Sequence, residues 1–428
     1  MTSRRPTDRE TSRRHFLRFL LGSPLLAGAG LPFVGSETRG GLGGGARLDA
    51  AALAEHLLSQ QAGPLIQSAD QAVNVFDLQA VAREKIPIAH YAYLATGVDD
   101  DATLLANRQG FADLRLNARR LVDVTDIDMS VELFGTQWPT PIIIAPCGSQ
   151  RAFHDDGELA VARAARVKNH LQVLSTVTTT SVEDVTAARG APIWYQLYPT
   201  SSWQITEALL RRAEDAGCPV VVLTVDLPVG GKRDSMLIGS RADTRNCVSC
   251  HADGFENFAT YVRGKPMFDG LDMSAVPGLR TPGLTWDFIG RLKEATTMNV
   301  VVKGIMTAAD ARLCIENGAD GIVVSNHGGR SEESRMATIA ALPQIADAVA
   351  GRVPLLMDSG IRRGTDIFKA LALGADAILV GRPYLWGLGA FGQAGVEAAL
   401  DILRRELEIA MQQFGAPSLA DIDRTFIA

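Results

Sequence analysis

Eight short apolar runs recur along this chain, and they constrain its fold more than any other feature. They span residues 141–145, 171–175, 193–197, 220–225, 300–303, 322–325, 355–358 and 378–380. Each is too short for a helix and stops at polar or turn residues, as a buried strand does. Helical patterns separate most of them, over 157–169, 182–189, 203–216, 286–296, 307–317, 339–350 and 365–373. Strands that alternate with helices pair in parallel, because each helix carries the chain back across the sheet. Eight such units predict an α/β protein, a closed (β/α)8 TIM barrel, with an open doubly wound sheet as the alternative. One connection breaks the rhythm. No clear element is legible between Asp226 and Trp286, so a long loop, about 227–284, is inserted after strand 4. An N-terminal helical segment precedes the barrel. Residues 49–70 look helical, and 76–95 reads as two short helices around Pro87, the second ending at Thr96-Gly97. The barrel domain is therefore 76–428, behind a helical extension over 46–75.

Polar residues fall at the same end of every run. Pro146, Cys147 and Gly148 follow the first and Ser175 ends the second. Gln196 and Tyr198 close the third, Thr224 and Asp226 the fourth, and Lys303 the fifth. Ser325, Asn326, His327 and Arg330 follow the sixth, Asp358, Gly360 and Arg362 the seventh, and Gly381 and Arg382 the eighth. In a barrel these ends meet at one mouth, where barrel enzymes carry their catalytic groups. The densest set is Ser325-Asn326-His327-Gly328-Gly329-Arg330. A histidine exchanges a proton near neutral pH. An arginine presents a planar fork that matches a carboxylate. The glycines let the backbone approach a flat ligand closely. Together they suit the deprotonation of a small acid. Two stretches suit a phosphate: Asp358-Ser359-Gly360-Ile361-Arg362-Arg363-Gly364-Thr365, leading into a helix, and Gly381-Arg382-Pro383. Glycine amides, a helix N-terminus and arginine forks all favour an anion.

In order and spacing these motifs resemble the FMN-dependent α-hydroxy-acid oxidase and dehydrogenase family. That family includes glycolate oxidase, lactate oxidase, mandelate dehydrogenase and the flavin domain of flavocytochrome b2. The resemblance rests on Tyr93 before Thr96-Gly97, Gln196-Leu197-Tyr198, Leu223-Thr224-Val225-Asp226, Val302-Lys303-Gly304 and the three stretches just named. It runs from Phe76 to the end, through Ser418-Leu419-Ala420-Asp421-Ile422. It implies FMN as cofactor and oxidation of an L-2-hydroxy acid to the 2-oxo acid. Arg330 and Arg233 would clamp the substrate carboxylate, with Tyr93 donating to it. Tyr198 would bond the substrate hydroxyl, His327 would be the general base, and Asp226 would pair with His327. Lys303 would sit near the flavin N1 and O2. Gln196, Thr224 and Ser175 would bond the ring edge, with Gly148 against its face and Pro146 and Ser325 beside the cofactor. Asp358 would take the ribityl hydroxyls, and Gly360, Arg362, Gly381 and Arg382 the phosphate. The electron acceptor would be a quinone, a cytochrome or oxygen, and the expected assembly is a homo-oligomer. No metal enters the expected chemistry.

Three positions depart from the family pattern. Gly148 stands where short-chain oxidases usually have alanine, which leaves room beside the flavin N5. Val177 stands where glycolate oxidase has tryptophan, which implies a wider pocket and larger apolar 2-hydroxy acids. Ser331 replaces a common glutamine.

The N-terminus is of another kind. Ser12-Arg13-Arg14-His15-Phe16-Leu17-Arg18 precedes an apolar stretch over 19–34 that glycines and prolines interrupt, too short and broken for a membrane span. It resembles a bacterial twin-arginine export signal, so 1–45 reads as a signal and glycine-rich linker, and the expected location is periplasmic. A net charge of −6 gives no footprint for nucleic acid. Five cysteines form no disulfide framework, and Cys218 and Cys314 read as buried thiols. Cys247-Val248-Ser249-Cys250-His251 has the spacing of c-type haem attachment. A flavin–haem electron-transfer protein is thus the alternative, with Met267 or Met273 as a second axial ligand. A metal site or a thiol pair are the competing readings of those residues.

Overall fold

The computed structural model describes residues 64–241, 243, 262, 265–274, 276–279 and 281–428. The export signal over 1–45, most of the helical extension, and Cys247, Cys250 and His251 lie outside the described residues. Among the described residues two α-helices come first, α1 (Val75–Lys85) and α2 (Ile88–Ala95), parted at Pro87 as the sequence predicts. Asn74 and Asp77 close a capping box on α1. The described part of the expected extension before α1 is not an α-helix. It is irregular apart from a 3-10 turn at Ala69–Gln71, which buries no residue and so has no packing to support a longer helix. Next come α3 (Ala102–Asp113) and a hairpin of β1 (Val131–Leu133) and β2 (Thr136–Trp138). Neither is legible in the sequence. In α3 apolar and polar residues do not segregate to one face, so the usual periodic signal is missing. The hairpin strands have three residues each, below the length at which alternation is legible.

The repeating units follow. They are β3 (Ile142–Ile144), α4 (Gly157–Lys168), β4 (Val173–Ser175), α5 (Val182–Arg189), β5 (Trp194–Leu197), α6 (Trp203–Asp215) and β6 (Val220–Thr224). After the insertion, with its α7 (Asp234–Arg241), come α8 (Asp287–Ala295), β7 (Asn299–Ile305), α9 (Ala308–Glu316), β8 (Gly321–Val324) and α10 (Thr338–Val349). The last are β9 (Leu355–Met357), α11 (Gly364–Ala372), β10 (Ala377–Val380) and α12 (Arg382–Phe414), which is broken at Phe391 and Gly392. The eight strands form one parallel sheet in the order β3-β10-β9-β8-β7-β6-β5-β4, and a parallel bridge from Ile144 to Gln172 closes it. The architecture is the (β/α)8 barrel, and the open sheet is excluded.

The inserted loop corrects one expectation, since it carries α7 and a 3-10 turn at Pro266–Phe268. Asp234 and Arg241 occupy the ends of α7 that suit their charges. Its Leu237 and Ile238 remain exposed, which hides the amphipathic pattern.

Alternation within each strand decides what faces inward. Ile143, Val173, Trp194, Val222, Val301, Val323, Leu356 and Leu379 fill the barrel interior, which Leu133 and Trp138 of the hairpin close at its amino-terminal end. Their neighbours, such as Ile142, Leu174, Tyr195, Val221, Val302 and Met357, pack against the helices. The inward parity continues upward. Ser175, Gln196, Thr224, Lys303, Ser325 and Asp358 each stand two residues beyond an inward apolar side chain. The period that builds the core therefore also points a ring of polar groups into the mouth.

Candidate active site

The mouth holds a concave cleft, the form usual for ligand sites. Tyr93, Pro146, Gly148, Ser175, Tyr198, Lys303, His327, Arg330, Asp358, Gly360, Arg362, Gly381 and Arg382 line it. The other expected residues stand behind the wall. Ser175 Oγ donates to Gln196 Oε1 at 3.1 Å, and Gln196 Nε2 donates to Thr224 Oγ1 at 3.0 Å. Lys303 Nζ donates to Ser325 Oγ at 2.8 Å. Arg233 does not line the cleft. Its guanidinium carbon lies 5.8 Å from the centre of the Tyr93 ring, which does. Leu94, Ile361 and Leu385 also line it, and nothing in the sequence marks them, because apolar side chains carry no chemical signature.

His327 sits between two partners. Its Nδ1 is 2.8 Å from Asp226 Oδ1, and its Nε2 is 3.3 Å from the Tyr198 hydroxyl. Its backbone is left-handed, with φ of 59°, and Gly328 and Gly329 continue at 71° and 74°. This tight turn aims the imidazole back over the barrel. Burial pushes the His327 pKa down and Lys303 adds to this, against the pull of Asp226, so the imidazole is neutral near pH 7. Burial alone would raise Asp226, but His327, which is protonated at the acidic pH where the carboxyl titrates, and Lys303 outweigh it and hold the carboxyl low. Lys303 is kept cationic despite burial by Asp358, 3.2 Å away, and Asp226, 3.7 Å away.

Cations outnumber anions around the cleft. Burial and then Arg233 push Arg330 down to about 9, which still leaves it charged at neutral pH. Burial, then Arg382 and Arg108, lower Arg362. Carbonyls at the end of α2 hold two of these arginines. Arg330 Nη1 donates to Tyr93 O and Thr96 O, both at 2.6 Å. Arg382 donates to Leu94 O at 2.9 Å, Gly328 O at 3.0 Å and Thr96 O at 3.1 Å. The negative end of a helix suits them. Among the described residues, Arg330 Nη2 and Arg233 Nε are buried without a hydrogen-bond partner. A buried donor in that state costs about 1–3 kcal/mol, so an anion bound here would be stabilised.

The other end fits a phosphate, though not as the sequence implies. The N–H groups of Arg362 and Arg363 are taken by Asp366 at 2.9 and 3.0 Å, and that of Gly364 by Glu406 at 2.8 Å. The N-terminus of α11 is therefore satisfied from within. The Arg362 side chain, Gly360 and the start of α12 at Gly381 and Arg382 remain to face a phosphate. A cationic end, a floor of inward polar groups and two partnerless guanidinium nitrogens together fit FMN with a carboxylate substrate beside it.

Gly148 corrects another expectation. No open space lies beside it, because a Cβ there would meet Val177 Cγ2 at 2.4 Å. The Val177 side chain fills the volume that the missing methyl vacates. Met267, a candidate axial ligand, is fully buried in the core. Cys218 and Cys314 are free buried thiols, as expected, and burial pushes both up to about 12.

Comparison with known proteins agrees with this geometry. Residues 82–428 match the family described as FMN-dependent dehydrogenase. A 2-hydroxyacid oxidase of Dictyostelium discoideum is 40% identical over 362 residues, covering 84% of this chain and 90% of that protein. Glycolate oxidase 1 of Oryza sativa subsp. indica is 41% identical over 358 residues, covering 83% and 95%. A mandelate oxidase solved with (S)-2-phenylpropionate superposes with a TM-score of 0.73 at 36% identity, covering 84% and 98%. By sequence, by fold and by the make-up of its barrel mouth, this chain belongs to the FMN-dependent dehydrogenase family.

Proposed function

We propose that this chain oxidises an L-2-hydroxy acid to the 2-oxo acid with FMN as its resident cofactor. One observation carries the reading. His327 Nε2, the Tyr198 hydroxyl and the partnerless Arg330 Nη2 converge on one cleft. The substrate carboxylate binds Arg330, with Tyr93 beside it, and Arg233, against the Tyr93 ring, adds positive charge from behind the cleft wall. Tyr198 bonds the substrate hydroxyl. Loss of two electrons and two protons converts the alcohol carbon to the ketone; His327 Nε2 takes one proton, and the other would leave with the electron pair to the flavin. Asp226 stabilises the imidazolium that results. FMN, when bound, accepts the electron pair. Lys303 holds a positive charge at the cleft floor, where negative charge builds on reduction. Arg362 and Arg382 hold the phosphate end, and Gln196, Thr224, Ser175, Ser325 and Asp358 order the floor. Purified protein should be yellow and should bleach when an L-2-hydroxy acid is added without oxygen. A preparation that carries no FMN, or that no acid in a broad panel bleaches, overturns the reading.

The relatives are named oxidases, so oxygen is the acceptor we propose, with a quinone or cytochrome as the alternative. Turnover in an oxygen electrode against turnover with a quinone analogue or dye separates them. Val177 on the cleft wall favours a larger apolar side chain on the substrate. Val177→Trp is expected to shift the kcat/KM ratio between glycolate and mandelate towards glycolate by about 10-fold or more. Competition kinetics with the two acids check this.

Acidity should read out the base. With the neutral imidazole as the active form and its pKa depressed by burial, the acid limb of kcat/KM lies below pH 6.5. Asp226→Asn removes a group that raises this pKa, so the limb moves to lower pH. Plateau turnover falls by about 10²-fold because the imidazolium loses its counter-charge. A limb that moves upward would contradict the assignment. We also propose that residues 1–45 direct export by the twin-arginine route to the periplasm. A fusion of that segment to a reporter, with Arg13 and Arg14 replaced by lysine as control, tests it.

A further inference from the structure

Helix α3 supplies no residue to the cleft wall, yet it holds both loops that carry the chemistry. Its first amides, Ala102 N and Thr103 N, donate to the Glu333 carboxylate at 2.7 and 3.2 Å, and Glu333 lies in the loop after β8. Arg108 Nη1 lies 2.7 Å from Asp366 Oδ2 and also reaches the Gly360 carbonyl, in the loop after β9. Between these anchors Asn107 and Asn326 exchange amide bonds. Asn107 Nδ2 donates to Asn326 Oδ1 at 2.9 Å, and Asn326 Nδ2 donates to Asn107 Oδ1 at 2.8 Å. Both side chains are about 1% exposed, so neither amide can turn to water. Two glycines let the helix come this close. A Cβ on Gly329 would meet Leu104 N at 2.5 Å, and one on Gly360 would meet Asn107 O at 2.5 Å.

Asn326 immediately precedes His327. Its Oδ1 also accepts from Gly329 N at 3.0 Å, which closes the turn across His327. Its Nδ2 reaches Met336 O at 3.0 Å. A left-handed histidine followed by two glycines of positive φ is not a conformation the backbone holds unaided. Something outside the turn must fix it, and the side chain that bonds both ends of the Asn326 amide is Asn107. We propose that Asn107 is a positioning residue for proton abstraction, its paired amide holding the turn that aims His327 into the cleft. This rests on the reading of His327 as the base.

Asn107→Ala, compared as the FMN-loaded protein, is expected to lose about 10- to 10²-fold in kcat, the scale of a small misplacement of a reacting group. FMN content and KM should stay close to those of the parent. The deuterium isotope effect with 2-deuterated substrate should rise towards its full value, since C–H cleavage becomes the slow step. A merely structural role would lower Tm or FMN content without moving the isotope effect. Asn326→Ala and the double variant complete the cycle, and the two losses should not add, because the residues act as one pair. Should Asn107→Ala fail to accumulate, Asn107→Ser decides in its place. Unchanged kcat in either loaded variant, or a rate loss that only follows lost FMN, overturns the inference. His327→Ala measured alongside separates the two ideas. Normal turnover there sinks the base assignment, whereas an inactive His327→Ala beside a normal Asn107 variant sinks the positioning role alone.

Discussion

Replacing His327 with alanine is expected to lower turnover by about 10²- to 10⁴-fold while FMN stays bound, the usual share of a general base. The expectation follows from where the side chain sits. Its Nδ1 is committed to Asp226 and its Nε2 points towards the Tyr198 hydroxyl, on the open side of the cleft. The groups that face a phosphate, Arg362 and Arg382, donate to the backbone carbonyls of Ile361 and Leu94 rather than to the imidazole. Cofactor binding and proton removal are therefore separable. Rapid mixing without oxygen measures the bleaching step directly, and that step should slow in proportion to kcat. Bleaching at the parental rate would place the base elsewhere.

Arg330→Lys should cost about 10²- to 10³-fold in kcat/KM, about 3–4 kcal/mol at 1.36 kcal/mol per tenfold. Lysine keeps the charge but loses the fork. Arg330 Nη1 bridges the Tyr93 and Thr96 carbonyls while Nη2 has no partner among the described residues. A single ammonium cannot hold the end of α2 and a carboxylate in that geometry together. The loss should appear mainly in KM for the hydroxy acid, and the 2-oxo acid should weaken in parallel as an inhibitor. The 2-hydroxy amide of the same side chain has no carboxylate to clamp and should lose far less. An equal loss for acid and amide would show that Arg330 acts through something other than the substrate carboxylate.

Much of this site is legible in the primary structure because its signals are local. The run 321–324 followed by Ser325, Asn326 and His327 announces a strand and its polar end together. The step from Val301 to Lys303, or from Leu356 to Asp358, places a polar side chain on the inward face by parity alone. Other features leave no such trace. Helix α3 has no apolar face to find. The helix within the insertion exposes Leu237 and Ile238. At Gly148 the missing methyl suggests a gap, but Val177 already fills it from the next loop. The amides at the start of α11 look ready for a phosphate, but Glu406, 42 residues further on, occupies the one at Gly364.

The amino-acid order by itself determined the barrel and the identity of the groups at its mouth. Strand and helix periods are short-range, and right-handed crossovers place every strand's carboxyl end on one side. Tertiary structure alone decided which of those groups pair, which guanidinium nitrogens lack an acceptor, and that Asn107 meets Asn326 across 219 positions of chain. Such contacts depend on close packing between distant segments, and no local pattern in either segment encodes the distance between them.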